Sequence, residues 1–107
     1  MNIWRAKFTS YDGKTVYTAN LALEQQRHGM ATGTLRDLTG PVPAELIELV
    51  GVVNGNQYNV GGNVQGLSVN LTVTFAPFVF AFAGGAQFVD SASGQTTNLF
   101  VITENVE

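Results

Sequence analysis

Side chains able to do acid–base or nucleophilic chemistry are few in this sequence, and they are scattered. The one histidine, His28, follows Arg27 in a polar stretch. With Ser10 and Asp12 it could supply the members of a catalytic triad. No nucleophile elbow or oxyanion-hole motif surrounds them, so a solvated loop histidine is the simpler reading. Glu45 and Glu48 are close in sequence, yet on a strand they point to opposite faces and do not form a carboxylate pair. Tyr17 and Tyr58 are the polar residues that a barrel enzyme would have to use. Cysteine is absent, and His, Asp and Glu are not clustered, so no metal site is expected. The stretch from Gly55 to Gly62 lacks the lysine and the following helix of a phosphate-binding loop, and Gly61-Gly62 reads as a bulge or tight bend. Asn70-Leu71-Thr72 matches a glycosylation acceptor pattern, but inside a strand. These residues lead us to expect no enzyme activity, no cofactor and no metal.

Charge narrows the range of partners. Charged residues make up 12% of the chain, about half the usual share, while 45% is hydrophobic. All five basic residues (Arg5, Lys7, Lys14, Arg27, Arg36) lie in the first third, and from Asp37 onward only acids occur. No charge falls between Glu48 and Asp90. A net charge of −3 without a basic cluster removes the main driving force for nucleic-acid binding and any polybasic membrane footprint. No apolar run approaches the roughly 20 residues of a spanning helix. The opening Met-Asn-Ile-Trp-Arg has neither the charged nor the apolar region of a signal peptide. No nucleic-acid or membrane partner is therefore expected.

The elements that would carry any site are strands. Period-two alternation recurs between turn signals along one domain, residues 1–107. The first strand, Ile3 to Ser10, puts Trp4, Ala6, Phe8 and Ser10 on one face, and Asp12-Gly13 supplies a hairpin turn. Thr15 to Glu24 follows, with Tyr17, Ala19, Leu21 and Leu23 on one face, then Met30 to Asp37. Thr39-Gly40-Pro41-Val42-Pro43 is a loop, because two prolines would break a central ladder. Ala44 to Val53 suits either a short helix or a strand; its Val-Gly-Val-Val ending, before Asn54-Gly55-Asn56, favours the strand. Gln57 to Val64 and Leu67 to Phe75 form a hairpin. Phe78 to Val89 and Thr96 to Glu104 complete eight strands. Short connections between eight strands fit an all-β, antiparallel up-and-down barrel, with a two-sheet β-sandwich as the alternative.

The seventh strand is apolar on both faces. Phe78, Phe80, Phe82 and Phe88 share one side, and Val79, Ala81, Ala83 and Val89 the other. A strand with one wet face alternates apolar and polar, so this one needs cover. A second subunit is the simplest cover, with a long loop of the same chain as the alternative. The barrel interior offers a second possibility. Its predicted inner faces mix large residues (Trp4, Phe8, Tyr17, Phe75) with small ones (Ala6, Ala19, Ala31, Gly33). That mixture fits tight packing or a space for one small ligand.

Several segments resemble those of a known family. Asn2-Ile3-Trp4 through Ser10 is similar to a Gly-x-Trp-x-Asn-x-x-Gly-Ser opening. His28-Gly29-Met30-Ala31-Thr32-Gly33-Thr34-Leu35 resembles a Thr-Gly-Thr-Tyr strand, and Leu71-Thr72-Val73-Thr74-Phe75 a Phe-Thr-Val-x-Trp strand. Gly84 to Asp90 and Thr96 to Val101 are similar to closing strands with Gly-Gln and Trp-Leu-Leu signatures. Over most of the chain the order resembles the avidin and streptavidin family. Residue by residue, Ser10 is kept, but Ala6, Leu35, Phe75 and Leu99 replace the Asn, Tyr and two Trp positions of the biotin site. The resemblance implies an eight-stranded barrel with a pocket at Trp4, Ser10, Tyr17, Leu35, Phe75 and Leu99, binding a small or apolar ligand other than biotin. It also implies that Ala81, Ala83 and Gly85 point inward, leaving Phe78, Phe80, Phe82 and Phe88 outward as a homo-oligomer interface in a dimer or tetramer. The alternative function is a structural or self-assembling protein with a filled barrel and a working outer surface.

Overall fold

In the computed structural model, which describes residues 2–106, the alternating segments form eight strands and one 3-10 turn, Arg27–Gly29. The strands are β1 Trp4–Ser10, β2 Val16–Gln25, β3 Met30–Leu38, β4 Ala44–Asn54, β5 Gln57–Val64, β6 Leu67–Ala76, β7 Ala81–Asp90 and β8 Thr96–Asn105. Each pairs antiparallel with the next, and β8 returns to β1, so the sheet closes into an up-and-down barrel. Closure leaves no strand edge unpaired, which a flat meander of this length would expose. The segment with both helical and strand character is a strand, pinned by β3 on one side (Leu35 opposite Ile47) and β5 on the other (Val52 opposite Asn59).

One strand starts later than its sequence suggests. Phe78 and Phe80 are not in β7 but in a four-residue connection, 77–80. Pro77 has no N–H for the ladder, and Phe80 takes φ +50°, outside the range of any strand. The amides of Val79 and Phe80 instead donate to Ala76 O and Pro77 O, both at 3.3 Å. At the start of β7 the Thr103 hydroxyl accepts from the Phe82 amide (2.7 Å) and donates to the Phe82 carbonyl (3.2 Å), extending the β8 ladder by one position.

This shift corrects the predicted outward phenylalanine stripe. Phe82 and Phe88 face the interior at 3% and 0% exposure, and Ala83 and Gly85 alternate with them on the outside. Burying two rings inside removes far more apolar area from water than burying alanine and glycine would. The core runs continuously around the ring, through Phe8, Leu21, Leu35, Ile47, Val60, Leu71, Phe88 and Leu99. No polar or charged side chain is fully buried with it among the described residues.

Bending eight short strands into so narrow a ring brings adjacent backbones against one another at the corners. At Gly51 a β-carbon would collide with Asn59 O and come within 2.8 Å of Val60 Cα. At Gly84 it would meet Thr72 O in the same way. These glycines are the points where the sheet can curl tightly, because nothing but hydrogen separates the two chains.

Candidate functional site

The lumen is occupied by the protein's own side chains. Trp4 spans it from β1, with its ring centroid 4.9 Å from Phe82 on β7 and 6.3 Å from Phe75 on β6. Tyr58 adds a fourth ring 5.5 Å from Phe82. Over this end folds the 77–80 connection: Phe80 packs 5.4 Å from Trp4 and edge-on 5.5 Å from Phe75, and the Trp4 indole Nε1–H donates to the Phe80 carbonyl at 3.0 Å. The opposite end holds Phe8 against Phe88 at 5.2 Å. There the 39–43 loop is tied to β2, with Thr39 N–H donating to Thr18 O (3.0 Å), and Gly40 comes so close to the Tyr17 ring that a β-carbon would overlap it.

Five of the six residues expected to line a pocket are therefore brought to the inner side, but into packing, and the sixth, Ser10, is not. Trp4, Leu35 and Leu99 are buried in the core, and half-buried Tyr17 and Phe75 pack against it. Ser10 belongs to a turn: its hydroxyl donates to Asp12 Oδ1 (2.6 Å) and accepts from the Thr15 amide (3.0 Å). The Asp12 carboxylate also accepts from the Lys14 amide (2.9 Å). These two bonds, the Ser10 one first, hold the Asp12 pKa below its ordinary 3.8. A depressed carboxylate pKa stabilises the fold above the unfolded value, and that contribution disappears as pH falls through the folded value. Asp12 is fully exposed, so the effect stays local to the 10–15 hairpin. Ser10→Ala should move the Asp12 midpoint back up toward 3.8 in a carboxyl NMR titration.

The members of the imagined triad are not assembled. Ser10 and Asp12 lie at the β1–β2 turn, whereas exposed His28 lies in the β2–β3 connection at the other end of the barrel. Glu48 is on the outer face of β4 beside Val50, while Tyr58 and Tyr17 are engaged with the core.

Open hollows lie on the outside. The larger, of about 610 Å³, crosses β3 to β5 between Thr32, Glu48, Val50 and Asn63. Another, of about 290 Å³, lies over β6 to β8 and is lined by Tyr11, Asn70, Thr72, Gly85, Gln87 and Asn98. Register arranges this second region in rows across the strands. One row runs Asn70, Gln87, Asn98; the next Thr72, Gly85, Phe100; the next Thr74, Ala83, Ile102. The Gln87 amide donates to Asn98 Oδ1 at 3.3 Å, and Tyr11 leans on Phe100 with centroids 4.5 Å apart. Phe100 and Ile102 remain 55% and 59% exposed, and across β6 to β8 the three rows carry no charge; the first charge met is Lys7 on β1, opposite Ile102.

Phe78, fully exposed, and Val79 at 72% project from the 77–80 connection at the barrel's end. Of the four residues expected at an interface, Phe78 and the 41%-exposed Phe80 thus reach solvent, and Phe82 and Phe88 do not. Ala83 and Gly85, expected to point inward, face outward instead, beside Phe100 and Ile102, which the sequence reading did not single out. The run Leu99-Phe100-Val101-Ile102 is as two-sidedly apolar as β7, and that was the signal available.

Comparison with known proteins finds no family model, no curated protein and no solved structure that matches this chain.

Proposed function

We propose that this chain is a filled β-barrel that self-associates and works through its outer surface, as a structural or assembly module and not as a container. The observation that carries this reading is the closed lumen: Trp4, Phe75, Phe82 and Tyr58 fill one end, Phe8 and Phe88 the other, and connections lie over both. An eight-stranded barrel can hold one small ligand only where its interior side chains leave room. Here a ligand would have to displace packed rings and forfeit their contacts.

The outer wall supports the same reading. Large exposed apolar residues lie on opposite sides of the ring: Val50 and Val52 on β4, with Met30 paired beside Val52, and Phe100 and Ile102 on β8. Between them, the outward positions of β5 to β7 carry Asn, Gln, Thr, Ser, Gly and Ala, with Val89 at the end of β7, in place of charges. Interface centres are depleted of charge, because a buried unpaired ion costs more than the contact returns. Native mass spectrometry after incubation with a panel of apolar small molecules tests the reading: ions of two or more chains without added ligand mass are expected.

A further inference from the structure

Among the glycines of the strands, Gly85 stands apart. At Gly33, Gly51, Gly62 and Gly84 a β-carbon would strike the neighbouring backbone, and at Gly61 it would come within 2.9 Å of Val69 O. At Gly85 the nearest atom of another residue, Leu99 O, is 3.8 Å away, an ordinary contact, and the backbone is not left-handed. The fold does not require glycine there, yet glycine weakens a strand interior. A strand glycine marks a bulge, a barrel bend or the close approach of another molecule; the ladder runs unbroken through Gly85 and the tight backbone approach falls at Gly84, which leaves the third.

Its neighbours show what that molecule is. On the outer face of β7, Gly85 and Ala83 form a trough; directly beside them on β8, Phe100 and Ile102 form a ridge at the same two register positions. We propose that the outer faces of β7 and β8 form a two-fold interface with a second copy of this chain, resting on the self-association reading above. A two-fold axis parallel to the strands, passing between β7 and β8, places β8 of each copy over β7 of the other. Phe100 then lies over Gly85 and Ile102 over Ala83, both ways around, which is the self-complementarity that an isologous dimer requires.

Charge and area agree with this pairing. The same rotation lays β1 of one copy on β6 of the other, so Lys7, in the Ile102 row, meets neutral Thr74 and no like charges are brought together. Strands about 4.8 Å apart with about 3.3 Å per residue make the four-strand wall β6–β7–β8–β1 roughly 600 Å² on each copy. That is the lower end for a specific interface, on the order of 1,200 Å² in total. An apolar ligand in the same trough would satisfy none of the amide groups of Asn70, Gln87 and Asn98 that the Gln87–Asn98 bond leaves open, whereas a second wall brings its own amides.

The chain has no cysteine, so single cysteines report without background. Gly85→Cys and Phe100→Cys are made separately, mixed and treated with a short bismaleimide, because sheet faces about 10 Å apart are too far for a direct disulfide. Mixed-variant cross-linked dimers should dominate over those formed by either variant alone. Gly85→Val fills the trough and should weaken self-association at least about tenfold by sedimentation equilibrium, with an unchanged or higher Tm. A wild-type oligomer whose variants give no mixed cross-link, or that is unaffected by Gly85→Val, overturns this interface while leaving self-association standing. A wild-type monomer overturns both. Binding of an apolar small molecule that Gly85→Val abolishes, in a chain that stays monomeric, gives the trough to a ligand and also overturns the pairing.

Discussion

Gly51→Ala should destabilise the barrel by about 3 kcal/mol and lower its Tm by roughly 10–20 °C, while Gly85→Ala should leave stability equal or slightly raised. Both residues lie inside strands, and both changes add one methyl group. At Gly51 that methyl would overlap Asn59 O and press on Val60 Cα, both backbone atoms of the adjoining strand. Neither can move without opening the β4–β5 ladder, so the cost is overpacking against a hydrogen-bonded chain. At Gly85 the methyl makes only an ordinary contact within its own chain and restricts the unfolded chain, which favours the folded state of the single barrel. Equilibrium denaturation in urea would measure both. A Gly51→Ala protein of wild-type stability would mean that the corner does not depend on close backbone approach.

Trp4 carries the second large effect. Trp4→Ala should cost about 3–5 kcal/mol, the range for removing a buried aromatic and leaving a cavity. The loss is large because one side chain links β1 to Phe75, Phe82 and the 77–80 connection across the lumen. Trp4→Phe keeps a ring in the cluster but removes the Nε1–H donor to Phe80 O, a loss of about 1 kcal/mol. The two variants should also differ in where they loosen. With the donor gone, little holds Phe80 at its positive φ beyond ring stacking, so the Val79 and Phe80 amides should exchange faster in Trp4→Phe while β6 and β7 remain protected. Uniform loss of protection across both strands would show that the indole bond acts on the whole barrel.

Much of the fold is legible in the sequence because a strand's period of two is strict. Leu67 to Phe75 alternates without a fault, and glycine and proline mark most turns where the chain reverses. The ambiguous 44–53 segment resolves as a strand because only an extended chain pairs with both β3 and β5. What period two does not give is direction when both sets of residues are apolar. In 81–90 it separates Phe82 and Phe88 from Ala83 and Gly85 without saying which set faces in. The decision comes from across the lumen, where Trp4 and Phe8 meet those rings. Phe78 and Phe80 looked like members of the same strand because a turn carrying three apolar residues after Pro77 still alternates.

The candidate site was legible only in part. Trp4, Leu35 and Leu99 face inward as expected, but a list of inward residues does not distinguish a pocket from a core; that depends on how the side chains interlock. The outer ridge and trough escaped because they are a relation between strands. Gly85 and Phe100 are 15 positions apart and become neighbours only through the β7–β8 register.

Native mass spectrometry of the wild-type chain at micromolar concentration, with and without apolar small molecules, tests the central claim most directly. A filled, self-associating barrel gives ions of two or more chains with no bound ligand in either sample. Single chains that take up one molecule each would contradict it, because they would show a lumen that opens and an outer wall that no second copy covers.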